Sequence, residues 1–119
     1  MGENDIVITF DKNEVKPKEE LNGVIKINYC GRFDSVVVNS QIQNTSDIFT
    51  FTKLNDKKID YPFARMPILR QDIKNVNEIN FTAITEHVPE KLSNVKFRAS
   101  IIQEHKEVAD VVEFLRIIP

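Results

Sequence analysis

Apolar and polar residues alternate with a period of two along most of this chain. That spacing sets one face of an extended strand against a core and the other toward water. Ile6, Ile8 and Phe10 alternate with Val7 and Thr9 and predict a first strand. Asp11-Lys12-Asn13 ends it, and Pro17 lies in the connection. A second strand is expected over Leu21–Tyr29, with Gly31 turning the chain after it, and a third over Ser35–Gln43, broken by Asn44-Thr45-Ser46-Asp47. Phe49 and Phe51 share a face in a fourth strand, Ile48–Leu54. Asn55-Asp56-Lys57-Lys58 reads as a hairpin turn returning through Ile59–Phe63. Residues 64–77 are the least regular, interrupted by Pro67.

Alternation resumes at Glu78–His87, and is clearest over Val95–Glu104, where Val95, Phe97, Ala99 and Ile101 face one way. The last segment is ambiguous. Val108, Val111, Val112 and Leu115 fit helical spacing, but Val111–Ile118 is rich in β-branched and aromatic residues, and a strand is the favoured reading. A turn at His105-Lys106-Glu107 would make it a hairpin with its predecessor. Strands at this spacing, each with one apolar and one mixed face, predict an all-β chain: one antiparallel β-sandwich of about seven to eight strands spanning residues 1–119. Ile6, Ile8, Phe10, Ile25, Ile27, Phe81, Phe97, Ala99 and Ile101 are the expected core.

Composition points the same way. Ile and Val together number 27, against 9 for Leu and Ala, and branching at Cβ favours the pleated sheet over the helix. The 119 residues suffice for one core. No apolar run exceeds three residues, so no membrane-inserting helix is expected. A net charge of −2 lacks the basic excess of a nucleic-acid binder. The acidic, apolar-poor start at Met1-Gly2-Glu3-Asn4-Asp5, with a single cysteine, suggests a cytoplasmic setting.

Candidate chemistry is sparse. Cys30 with His87 or His105 is the one conceivable nucleophile–base pair, and Cys30 reads better as a packing residue. Three Cys and His residues without ligand spacing make a poor zinc set, and the aspartates Asp34, Asp47, Asp56 and Asp60 are too isolated for a calcium loop. Three unclustered glycines cannot form a phosphate-cradling loop. No cofactor, metal or catalytic residue is assigned, and an enzyme is disfavoured. Lys53, Lys57 and Lys58 form a basic tip that reads as a solvated hairpin.

The run from Ile8 to Ile27, in which Leu21-Asn22-Gly23 precedes an alternating strand, resembles the opening of an arrestin-like domain. The next strand, Val36 to Ile42, falls where that pattern places one, and immunoglobulin-like domains share the element. Gly23 also fits a bulge or a close backbone approach. The resemblance implies a non-catalytic scaffold that binds other proteins, and none of the family's charged or phosphate-sensing residues is carried over.

Tyr61 to Arg70 mixes aromatic, Met and Arg residues, the types enriched where partners bind. Tyr61, Arg65, Met66 and Arg70 are the expected docking residues, with Phe63 and Ile68 anchoring the segment to the core. The expected role is a protein-interaction or adaptor module; the alternative is a structural subunit of a larger assembly. The proline-free Val111–Ile118 stretch suggests a homo-oligomer through an edge strand.

Overall fold

The computed structural model describes residues 5–42, 48–73 and 77–119. The ends of two expected features, Gln43 and Val76, and the break at Asn44-Thr45-Ser46-Asp47 lie outside the described residues, as do Met1–Asn4. The described residues hold ten strands and one short 3-10 turn, joined by loops. They are β1 (Ile6–Phe10), β2 (Glu14–Val15), β3 (Glu20–Ile27), β4 (Ser35–Gln41), β5 (Phe49–Leu54), β6 (Lys57–Tyr61), β7 (Arg65–Leu69), the turn Arg70–Asp72, β8 (Glu78–Thr85), β9 (Ser93–Gln103) and β10 (Lys106–Ile117).

The strands form two five-stranded sheets. One runs β1-β3-β8-β5-β6 and the other β2-β10-β9-β4-β7. The all-β expectation holds, but ten strands replace the seven or eight expected. One of the two additions is β2, only two residues long. It pairs parallel to the end of β10, so the second sheet is not wholly antiparallel. The other is β7, inside the stretch that Pro67 made unreadable. Pro67 is tolerated because β7 is an edge strand, paired with β4 on one side only.

The final segment is a strand, paired with β9 over nearly its whole length. Its turn is Glu104–His105, one residue earlier than expected. Both residues have positive φ, 50° and 67°, as a tight primed hairpin turn requires.

The core lies between the sheets and is built from the alternate residues of each strand. Phe49 and Phe81 from the first sheet meet Phe97 from the second, with the Phe49 and Phe97 ring centroids 5.3 Å apart, and Phe51 packs on Phe81. Every expected core residue is buried except Phe10, which is half-buried at the end of β1 with its ring 4.8 Å from that of Phe97. Strand ends set the loops. The crossings from β6 to β7 and from β8 to β9 span the same end of the molecule, because β6 and β8 both run antiparallel to β5, and β7 and β9 both run antiparallel to β4. Among the described residues no helix is long and apolar enough to cross a membrane.

Candidate functional site

β6 and β7 are the edges of opposite sheets on one side of the molecule, and residues 62–64 carry the chain across. Pro62 fixes the backbone φ there. The Tyr61 hydroxyl donates to the Arg65 carbonyl over 2.7 Å, and the Ser40 N–H donates to the Ala64 carbonyl over 3.0 Å. These two bonds tie the corner to itself and to β4. The Phe63 ring stands edge-on to Tyr61, centroids 5.1 Å apart, and remains 60% exposed.

The structure therefore divides the four expected docking residues. Tyr61 and Arg65 come together at the corner. Met66 does not join them: it is 3% exposed and lies in the core with Ile68, because β7 alternates and Arg65, Pro67 and Leu69 take the outward positions. Arg70 does not join them either. It sits at the far end of β7, in the 3-10 turn, with its guanidinium 5.2 Å from the centre of the Phe33 ring and its N–H bonded to the Asp34 carbonyl. Ile68 anchors the segment as expected, but Phe63 does not: it is the corner's most exposed aromatic side chain. The period-two signal of Arg65-Met66-Pro67-Ile68-Leu69 was present in the sequence and masked by its proline.

Arg65 opens onto the outer face of the second sheet. Its register partner is Asn39, and beyond that stands Arg98. Arg98 is held by Glu107 at 2.5 Å and Asp110 at 3.1 Å, which offset its charge. Among the described residues Arg65 has no ion-pair partner, so its cation is available to an incoming carboxylate.

The other candidates are more dispersed. Lys53, Lys57 and Lys58 are exposed around the β5–β6 turn, where Asn55 has a φ of 54° and its side chain accepts the Asn80 N–H. Cys30 is exposed in the loop after β3, in a shallow hollow shared with Lys26, Asn28, Tyr29, Asn77 and Glu78 and with no histidine. His87 follows the opposite end of β8 from Glu78. Among the described residues no group of three or more His, Cys, Asp or Glu side chains is placed to hold a metal ion.

One carboxyl is clearly perturbed. Partial burial pushes Asp11 up, but hydrogen bonds from the side chain and backbone N–H of Asn22, each 3.0 Å, together with Lys12, outweigh that and hold it below the ordinary carboxylate value.

No protein-family model and no curated protein matches the chain. Solved structures share its fold at low identity. The human F-spondin reeler domain is 11% identical, covers 95% of this chain and 89% of its own, and has a TM-score of 0.57. The Salmonella SafD adhesin is 12% identical over 96% of this chain and 97% of its own, TM-score 0.56. Self-complemented MyfA, the major subunit of Myf fimbriae from Yersinia enterocolitica, is 9% identical over 96% and 98%, TM-score 0.54. These likenesses support a β-rich, two-sheet fold of the kind found in adhesin, fimbrial and reeler domains, without singling out the arrestin-like branch.

Proposed function

We propose that this chain is a non-catalytic protein-binding module on an immunoglobulin-like sandwich, docking through the corner of Tyr61, Phe63 and Arg65. The immunoglobulin-like reading is supported by strand order. β1-β3-β8-β5 follows the first-second-fifth-fourth pattern of one sheet of that fold, and β4-β9-β10 the third-sixth-seventh pattern of the other. Two added strands, β6 and β7, create the corner.

The observation that carries the docking role is Phe63, an aromatic ring 60% exposed yet fixed against Tyr61. A large apolar side chain held in place outside the core loses little freedom on binding and gains contact area. Tyr61 and Arg65 add the residue types that dominate binding energy at interfaces. The hollow around Cys30, with no histidine, favours binding over nucleophilic catalysis. An exposed, unpaired thiol suits the reducing cytoplasmic setting that belongs to this reading.

The test compares proteins cross-linked to the full chain with those cross-linked to Phe63→Ser and Arg65→Ala variants. Loss of specific partners with unchanged thermal stability is expected. Undiminished capture by both variants overturns the assignment. A second reading, a structural subunit of a larger assembly, is favoured by the incompletely covered outer edge of β10. Sedimentation separates the two, since an assembly subunit forms large oligomers.

A further inference from the structure

Two lateral sides of the molecule carry sheet edges, and their chemistry differs. On one side β6 bears Lys57, Lys58 and Asp60, and β7 bears Pro67. Pro67 and three charges among the five residues of β6 keep that side from pairing, whereas β10 has no proline and its stretch Asp110–Phe114 carries only Asp110 and Glu113. On the other side, β10 is covered by β2 only at Arg116 and Ile117. The N–H groups of Arg116 and Ile118 donate outward to the carbonyls of Asn13 and Val15. Alternate residues of a strand turn their backbone groups to the same edge, so Phe114, Val112 and Asp110 also present N–H and C=O outward. No described strand pairs with that stretch. A bulge between Glu107 and Ala109 closes it at the other end. The open window is Asp110–Phe114, centred on Val112.

We propose that this window is a self-pairing edge: two copies of the chain join β10 to β10 antiparallel about a two-fold axis through Val112, fusing their second sheets. Symmetry and charge select the register. With Val112 opposite Val112, Asp110 faces Phe114 and Val111 faces Glu113, and no like charges oppose. An axis at residue 113 sets Glu113 on Glu113, and one at residue 110 sets Asp110 on Asp110; like charges directly opposite destabilise a pair of strands. An axis at Val111 runs Phe114 against Val108, within the bulge, where the ladder is broken.

The Val112 register also fits its surroundings. Beyond the window it would bring Val108 of one copy to Arg116 of the other, a place already taken by β2. The bulge at Glu107–Ala109 bends the incoming strand away at that point. Lys96 is the cross-strand neighbour of Phe114, so one copy's Lys96 and the other's Asp110 fall in a single row with opposite charges. Phe114, 62% exposed, lies between them and is covered by the pairing. This surface is separate from the Tyr61–Phe63–Arg65 corner, and the Phe63→Ser variant is expected to pair as the parent does.

Sedimentation equilibrium of the full chain from micromolar to millimolar concentration tests the proposal. The average mass should rise from 13.8 kDa toward twice that value. Val112→Pro removes an outward N–H to which no described strand pairs, and should stay monomeric throughout with an unchanged strand spectrum. If that variant does not fold, cross-linking decides. In a Cys30→Ser background, Val112→Cys should oxidise to a covalent dimer, since a hydrogen-bonded pair holds its Cα atoms about 5.5 Å apart, within disulfide reach. Lys57→Cys in the same background should not. A parent chain that stays monomeric at millimolar concentration, a folded Val112→Pro dimer, or Val112→Cys cross-linking no faster than Lys57→Cys overturns the proposal.

Discussion

Phe81 lies directly over Gly23. The two residues are opposite one another in the β3–β8 pair, and a Cβ on Gly23 would come within 2.2 Å of the Phe81 ring. On the other side of Gly23 the register partner is Phe10, whose ring meets Phe81 edge-on at 6.4 Å across the glycine. Gly23, one of the residues that carried the resemblance to an arrestin-like opening, is thus a close-approach site. It leaves room for two aromatic rings to cover a strand that has no side chain of its own there.

Gly23→Ala is therefore expected to destabilise the fold by roughly 1–3 kcal/mol, since Phe81 is wedged among Phe51, Phe97 and Phe10 and has little room to move. Chemical denaturation measures it. Pairing Gly23→Ala with Phe81→Leu should cost less than the sum of the single changes, because the smaller side chain relieves the overlap.

Phe97 is fully buried, and its ring meets those of Phe10, Phe49 and Phe81 from the opposite sheet. Phe97→Ala should cost about 3–5 kcal/mol, from lost burial and the cavity left behind. A loss under about 0.5 kcal/mol, the range of surface substitutions, would show that the core does not close around this ring.

Neighbouring residues of β7 should behave oppositely. Met66→Asp buries a charge without a partner and is expected to abolish cooperative unfolding, whereas Arg65→Ala should change stability by no more than about 0.5 kcal/mol. Thermal melts of the two variants check the alternation directly.

Asp11 links stability to pH. Its carboxyl is held below the usual value in the folded chain, so its contribution is present above the unfolded value and is lost as pH falls through the lower, folded one. Asp11→Asn should reduce the difference in stability between neutral pH and about pH 3, where an ordinary aspartate is protonated. Parent and variant with identical acid profiles would show that the Asn22 bonds do not form.

The β9–β10 turn holds two non-glycine residues at positive φ, Glu104 and His105. Replacing them with Asn-Gly, the pair such turns favour, should raise stability by about 1 kcal/mol, measured by denaturant midpoint. The backbone N–H of residue 104 donates to the Asp34 carboxylate without using the Glu104 side chain, so that bond is retained.

Most strands were legible from the sequence because alternation is local. Ile6, Ile8 and Phe10, or Val95, Phe97, Ala99 and Ile101, declare their faces without reference to any neighbour. Even the β-branched tail from Val111 to Ile118 outweighed its helical spacing, since its side chains pack along β9. Pairing is a different matter, because it joins residues far apart in the chain. Nothing near Glu14 and Val15 says that they lie parallel to Arg116 and Ile117, so neither β2 nor the length of open β10 edge was readable. Pro67 removes a backbone donor and so reads as a break, yet only the position of β7 at a sheet edge makes that loss harmless. Once β7 is a strand, its pleat turns Met66 into the core, Arg65 outward and Arg70 to the far end. Phe63 is exposed because the chain must cross between sheets beside Tyr61. The sequence by itself determined which residues alternate and hence the class of fold; the tertiary structure decided which edges and corners face solvent, because those depend on which strand has a neighbour.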